Sequence, residues 1–400
     1  MNLLIADKLE DEAVRALEQL PGVQVSAKPG LAADALPAAL AEVDILVVRS
    51  KEVRAKAIDA AKRLALIVRA GAGTNTIDVS AASARGVYVA NCPGKNAVAV
   101  AELAVGMMLA LDRRLGDATA SLRAGRWEKS AFSKAEGLYG KRIGVAGLGS
   151  IGREVLARAR ALGMLPRVWS RSLTADSAQA LGVVQAASLE ALAAESDILS
   201  LHLPLTAETR GIVDGRVLAG MPRAAMLINT ARAELLDYTA LEDAVRSRGL
   251  RVGLDVFPGE PESGTAEFHS GLVELAGVIA TPHIGASTQQ AQLAIASEVV
   301  RIVRSFVETG RVPNCVNLAA RSPARCQLVV RHFDRVGVLA SVLGVIKQHG
   351  INVEEMASQP FEGHQAAVAR LSLGAFPSAA CIQEIEQGCS DVIHVEAIAI

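Results

Sequence analysis

Arg232, Glu260 and His283 each stand a few residues beyond a short apolar run, at 225–229, 253–257 and 278–281 respectively. If these runs are strands of one parallel sheet, all three side chains arrive at the carboxyl ends of the strands, where such sheets bind ligands. An arginine can hold a carboxylate through two parallel hydrogen bonds. An imidazole can take the proton of a hydroxyl group, and a carboxylate beside it can orient the ring and stabilise its cation. Together the three could oxidise a hydroxy acid. Singly, each has a plain structural explanation, and a lone histidine behind a strand is more often part of the framework.

The other stretch able to do chemistry is 141–172, KRIGVAGLGSIGREVLARARALGMLPRVWSRS. An apolar run at 142–146 ends in Gly147-Leu148-Gly149-Ser150-Ile151-Gly152. Apolar residues at helical spacing follow from 153 to 162, Gly163 stops them, and a second run occupies 166–169. In this strand–turn–helix–strand context G-x-G-x-x-G signifies dinucleotide binding. Gly147 permits the tight turn, Gly149 lets backbone N–H groups approach a pyrophosphate, and Gly152 lets helix and strand pack closely. The helix N-terminus adds partial positive charge and free donors. An acid is expected at the end of the second strand to accept from the ribose hydroxyls, yet Ser170, Arg171 and Ser172 stand there. A carboxylate would repel a 2′-phosphate and these residues would not, so NADP is expected to be tolerated or preferred. A solvated surface role is the alternative for Arg171.

Four hundred residues suggest two or three domains. With 51% hydrophobic residues and a mean hydropathy of +0.31 there is ample material for buried cores. A net charge of −1 gives no general pull toward nucleic acid or membrane. The most apolar segment, 97–111, is interrupted by Glu102 and too short to span a bilayer. The opening MNLLIADKLEDE meets charge at once and reads as a first strand, not a secretion signal. Cys92, Cys315, Cys326, Cys381 and Cys389 show no C-x-x-C and no metal-ligand spacing, so a reduced, cytoplasmic protein without a metal is expected.

The elements that must position these residues follow a strand–helix rhythm. Strands are expected at 3–6, 23–26, 45–48 and 66–68, with helices at 11–20 and 32–41. The third strand delivers Arg49-Ser50-Lys51, and the fourth ends at Arg69-Ala70-Gly71-Ala72-Gly73-Thr74-Asn75. Both cationic turns fall where a parallel sheet binds ligands; surface solvation is the alternative for Arg49 and Lys51. A buried helix at 96–111 leads to the glycine turn, a strand at 197–204 and the three runs above follow it, and 288–307 is a long helix. Residues 313–323 are irregular, carry two prolines and read as a linker. The remainder reads as strand 327–331, helix 338–348, a strand opening at 351, strand 365–371, helix 377–388 and strand 391–398, a ferredoxin-like βαββαβ module.

These blocks resemble the D-isomer-specific 2-hydroxyacid dehydrogenases. GLGSIG, SDILSLHLPLTAETRGIV, LINTARAELLD, GLDVFPGEP and TPHIGASTQQAQ match that family's blocks in order, over roughly residues 1–315. The resemblance implies an α/β fold of two doubly wound (Rossmann- and flavodoxin-like) lobes. One is a substrate-binding lobe of residues 1–92 and 285–315, completed by the helix after His283; the other is a dinucleotide-binding Rossmann domain of residues 93–284. It implies catalytic roles for Arg232, Glu260 and His283. It also implies cofactor contacts at Ser150, Ile151, Thr230, Ala231, Arg232, Asp255 and His283, beside Gly147, Gly149, Gly152, Ser170 and Arg171.

Two features are similar to the phosphoglycerate dehydrogenase branch in particular. ILVVRSKEVRAKAID and RAGAGTNTIDVSAASARGVYVANCPGKNAVAVAE match its substrate lobe, where an arginine–serine turn binds substrate. That implies roles for Arg49 and Ser50, and further for Lys51, Gly73 and Asn96. GRWEK at 125–129 resembles a segment whose lysine, here Lys129, reaches a neighbouring subunit's site in some members. After a linker at 316–325, residues 326–400 resemble an ACT regulatory domain, with His332, Asp334 and Asn352 as candidate effector contacts. Such modules pair side by side around a small amino acid, which implies a homo-oligomer, expected as a tetramer. Three residues depart from the pattern: Ala233 replaces a glycine, Ser170 an acid, and Asp334 the asparagine of serine-regulated members.

The implied activity is oxidation of 3-phosphoglycerate to 3-phosphohydroxypyruvate with NAD or NADP, the first step toward serine. Arg49 and Lys51 would hold the phosphate. One rival is a glyoxylate or hydroxypyruvate reductase, indifferent to the phosphate, which leaves the C-terminal module unexplained. The other is a dinucleotide-sensing corepressor-like protein, which would bind the dinucleotide and reduce no keto acid at useful rates.

Overall fold

Runs of about four apolar residues suit buried strands better than buried helices. In the computed structural model, which describes residues 1–261, 265–319 and 321–400, they build two parallel sheets. Residue 320, inside the expected linker, lies outside the described residues. The first sheet contains β1 (Asn2–Ile5), β2 (Gln24–Ala27), β3 (Ile45–Val48), β4 (Leu66–Arg69) and β5 (Tyr88–Ala90), in the order β2-β1-β3-β4-β5. The winding reverses between β1 and β3, which opens a crevice at their carboxyl ends. Asp7 and the Arg49-Ser50-Lys51 turn stand there. The helix Gln289–Thr309 covers one face, burying Ile295, Val299 and Val303 with Leu3, Ile5 and Val47.

The second sheet contains β6 (Arg142–Ala146), β7 (Leu165–Trp169), β8 (Val184–Gln185), β9 (Ile198–Leu201), β10 (Met226–Asn229), β11 (Arg251–Leu254) and β12 (Val278–Ala280). Its order is β12-β11-β10-β9-β6-β7-β8, with the switch point between β6 and β9 at the glycine turn. The helix Ala97–Arg113 lies against it, burying Ala101, Ala104 and Met108 with Ile143 and Ile228. Arg232, Glu260 and His283 follow β10, β11 and β12, three neighbouring strands.

Some elements differ from the periodicity. The helix expected at 32–41 is a 3₁₀ turn, Ala33–Ala35, followed by the short helix Leu36–Ala39, with Pro37 in its first turn. The strand expected at 253–257 ends at Leu254, because the Phe257 N–H turns away to donate to Glu260 Oε1 at 2.8 Å. The helix after the glycine turn begins at Ser150, within the motif itself.

Ala224, just before β10, holds φ +57°, a left-handed conformation that penalises any Cβ. Arg251 Nε donates to its carbonyl at 3.0 Å and fixes it there. Ala224→Gly should therefore stabilise the fold by about 0.5–1 kcal/mol, the relieved strain exceeding the added unfolded-state entropy. Thermal melts of the two proteins check this; an unchanged or lowered midpoint would mean that the turn relaxes without strain.

Met1–Asn317 and Leu318–Ile400 are two compact units. The second contains β13 (Cys326–Phe333), the helix Val338–Gln348, β14 (Val353–Pro360), β15 (Ala366–Leu373), the helix Ala379–Gly388 and β16 (Val392–Ala399). The sheet is antiparallel with order β14-β15-β13-β16, the expected βαββαβ module. Leu328, Val330 and Leu371 on one face pack against Val342, Ile346 and Ile385 of the helices. Pro360 is tolerated because it ends an edge strand.

Candidate active site

The chemistry-bearing turn after β10 is tied by Asn229, which is fully buried. Its Oδ1 accepts from the Ala231 N–H at 3.0 Å, and its Nδ2 donates to the Arg232 carbonyl at 2.8 Å. Arg232 then reaches across to the first sheet, where Nη2 lies 3.4 Å from Asn75 Oδ1. A Cβ at Gly73 would collide with that same nitrogen, so the glycine makes room for the guanidinium.

His283 Nδ1 lies 2.6 Å from Glu260 Oε2, the length of a charge-assisted hydrogen bond. Nε2 has no protein partner among the described residues and is left for a ligand. Burial pushes the Glu260 carboxyl upward, but the bonds from His283 and the Phe257 N–H, with the charges of His283 and Arg232, outweigh it and hold it below its ordinary value. His283 itself sits at φ +52°, a strained backbone for a ring-bearing residue.

Asp255 imposes that geometry. It is buried, and its carboxylate accepts from Thr281 Oγ1 at 2.5 Å and from the Ile284 and Gly285 N–H groups at 2.8 Å each. The cofactor contact implied for Asp255 thus falls on a side chain whose two oxygens are already engaged in holding the His283 loop. Burial raises its pKa against the lowering effect of those bonds. From the other side, Tyr238 OH donates to the Val256 carbonyl at 2.9 Å and braces the Glu260 loop.

In the first sheet, Asp7 Oδ2 accepts from the N–H groups of Arg49, Ser50 and Lys51 at 2.7, 3.1 and 3.1 Å. The turn is thereby fixed by its backbone, and no hydrogen bond or ion pair engages the Arg49 side chain among the described residues. Lys51 Nζ donates to the Leu31 carbonyl, which engages one of its three N–H groups. Asn96 precedes the helix Ala97–Arg113 with Oδ1 buried and unpartnered.

The glycine turn fits a dinucleotide. A Cβ at Gly147 would stand 2.6 Å from the His202 carbonyl oxygen, and one at Gly152 would collide with the Gly147 carbonyl. At Gly149 it would meet no protein atom, so that side of the turn is open. The helix Ser150–Ala161 has no side-chain cap, which leaves its first N–H groups to an anion. Ser150 and Ile151 form its first turn, Ser150 lying beside Gly94. The Thr230 hydroxyl, next to Ala231, is buried without a partner, as a ligand-facing donor would be. Ser170 Oγ lies 3.4 Å from Ser172 Oγ, and Arg171 is exposed. No acid occupies the end of β7.

In the C-terminal unit His332 is buried, its Nδ1 2.8 Å from the Phe333 carbonyl and its Nε2 unpartnered. Asp334 is exposed, and Asn352 Nδ2 donates to Glu354 Oε1 at 2.8 Å. Lys129 is exposed in the short helix Lys129–Phe132. Sequence reasoning missed Asp7, Asn75 and Asn229. Asp7 alone had a signal, an acid directly ending a buried strand.

Comparison with known proteins gives a consistent result. The profile of the D-isomer specific 2-hydroxyacid dehydrogenase NAD binding domain matches residues 105–285. A hydroxypyruvate reductase of Thermotoga maritima is 42% identical over 308 residues, 76% of this chain and 97% of that protein. A D-3-phosphoglycerate dehydrogenase of Methanocaldococcus jannaschii is 37% identical over 320 residues, 80% of this chain and 60% of that protein. The chain thus spans about three fifths of the length of the phosphoglycerate dehydrogenases it matches. The crystal structure of NAD⁺-bound 3-phosphoglycerate dehydrogenase from Entamoeba histolytica aligns with a TM-score of 0.67 at 27% identity, covering 80% of this chain and 99% of that one.

Proposed function

We propose that this chain, which belongs to the D-isomer specific 2-hydroxyacid dehydrogenase family, oxidises 3-phosphoglycerate to 3-phosphohydroxypyruvate with a nicotinamide dinucleotide. The observation that carries the reading is the 2.6 Å His283–Glu260 pair beside Arg232. Arg232 holds the substrate carboxylate and polarises the C2 oxygen. Neutral His283 takes the hydroxyl proton on Nε2, and Glu260, ionised and bonded to Nδ1, stabilises the resulting cation. The dinucleotide, when bound at the glycine turn, supplies the acceptor for the C2 hydride. Arg49 holds the phosphate. The working lobes are residues 1–92 with 285–315 and residues 93–284, followed by a linker at 316–325 and a regulatory module at 326–400. Measuring dinucleotide reduction with 3-phosphoglycerate, and the reverse reaction with the phosphorylated keto acid, tests the proposal; binding without turnover would favour a sensor instead.

Hydroxypyruvate reduction is the second reading, favoured by the Thermotoga maritima relative because the chain covers nearly all of that protein. It is separated from the first by its indifference to the phosphate.

Ser170 and Arg171 remove the carboxylate that excludes a 2′-phosphate, so NADP is used at least comparably with NAD. Ser170→Asp should shift preference toward NAD by roughly tenfold, through repulsion of the 2′-phosphate. Steady-state constants with both dinucleotides check this; a wild type rejecting NADPH by orders of magnitude would contradict it.

The C-terminal unit pairs with its copy in a homo-oligomer, a tetramer, and takes a small amino acid near His332 and Asn352. Asp334 opposes the effector's carboxylate, so serine acts weakly or not at all. Asp334→Asn should strengthen serine binding by roughly tenfold. Calorimetric titration decides: tight serine binding by the wild type, unaffected by the change, would place the effector elsewhere.

A further inference from the structure

A third guanidinium stands at the crevice that the proposed mechanism does not use. Arg69 ends β4, and its register partner is Val48, the residue before Arg49. Arg49 and Arg69 therefore leave adjacent strands at the same edge. Gly71, at φ +156°, lies directly against the Arg69 head group: a Cβ there would collide with Nη1 and stand 2.6 Å from Cζ. Nε is buried with no hydrogen-bond partner, and no carboxylate pairs with Arg69 among the described residues. The nearest candidate, Asp7, is engaged by the three N–H groups of the 49–51 turn. Burial, with Arg232 and Arg49 adding their charges, lowers the Arg69 pKa to about 10. Three guanidiniums thus repel one another at the crevice, opposed only by Asp7 and, for Arg232, by Glu260, an arrangement that becomes less unfavourable when a ligand brings negative charge.

We propose that Arg69 is a specificity-determining residue, gripping the substrate's second anionic group together with Arg49. The inference rests on the reading of a phosphorylated substrate above. Arg232 faces the carboxylate end near His283, which leaves the Arg49–Arg69 pair to the far end of a short dianion. Two planar guanidiniums can share the oxygens of one phosphate through parallel hydrogen bonds, which one arginine beside a lysine turned toward Leu31 cannot reproduce. Gly71, lacking a Cβ, leaves the space against the backbone that the Arg69 head group fills.

The test compares Arg69→Met and Arg69→Lys with the wild type in reducing 3-phosphohydroxypyruvate and hydroxypyruvate. The ratio of kcat/KM for the two substrates is the readout, with dinucleotide binding by fluorescence as the check on folding. The ratio is expected to fall by about 30-fold or more in Arg69→Met, through KM for the phosphorylated substrate, and to recover partly in Arg69→Lys. A selective wild type whose ratio survives in Arg69→Met would overturn the role of Arg69 alone. A wild type that does not distinguish the two substrates would overturn the underlying reading and this inference with it.

Discussion

His283→Asn is expected to lower turnover by about 10²–10⁴-fold while dinucleotide binding stays within a few-fold of the wild type. The size follows from the loss of a positioned base at the ring nitrogen that has no protein hydrogen-bond partner among the described residues. Asparagine is the appropriate replacement because it tolerates the left-handed backbone at φ +52°. It also leaves Asp255 free to hold the loop through the Ile284 and Gly285 N–H groups. A loss of activity then reports on the proton and not on a collapsed loop. Glu260→Gln should do less, since the amide still orients the imidazole while losing the charge that stabilises its cation. Fluorescence titration with the reduced dinucleotide and steady-state rates give both quantities. Near-normal turnover in His283→Asn would remove the histidine from the mechanism.

The second large effect is on the phosphate. Arg49→Ala is expected to weaken the reaction of the phosphorylated keto acid by about 2–5 kcal/mol, as for a buried charge pair broken on one side. Hydroxypyruvate should lose much less. The substitution is a clean one because Asp7 holds the turn through backbone N–H groups that alanine retains. The kcat/KM values of the two substrates separate the cases: equal losses on both would mean that Arg49 is structural or binds the carboxylate.

How far the sequence carries depends on the range of the interaction concerned. The glycine turn was legible residue by residue, because β6, the turn and the following helix are contiguous and each glycine answers to a local steric demand. The edge shared by Arg232, Glu260 and His283 was legible because each follows an apolar run, and parallel strands present their carboxyl ends together. The struts were not. That Asp255 would turn both oxygens to residues 281–285, or that Asp7 would hold a turn more than forty residues away, depends on strand order. The bond from Lys51 to the Leu31 carbonyl was hidden for the same reason, because only the fold brings residue 31 to that turn. Arg69 passed as one more strand-end cation until the structure showed Gly71 pressed against it. Short connecting helices such as Gly215–Gly220 and Leu189–Ala194 were missed because six residues carry too little periodicity.

The central claim is that the crevice between the two sheets selects a phosphorylated hydroxy acid and exchanges hydride with it. The most direct measurement is kcat/KM for reduction of 3-phosphohydroxypyruvate, hydroxypyruvate and glyoxylate by the purified chain, with NADH and NADPH in parallel. The phosphorylated substrate is expected to lead by about 100-fold or more, in line with charge contacts the others cannot make. Equal or better rates with glyoxylate or hydroxypyruvate, or tight dinucleotide binding with no reduction of any of the three, would contradict the claim.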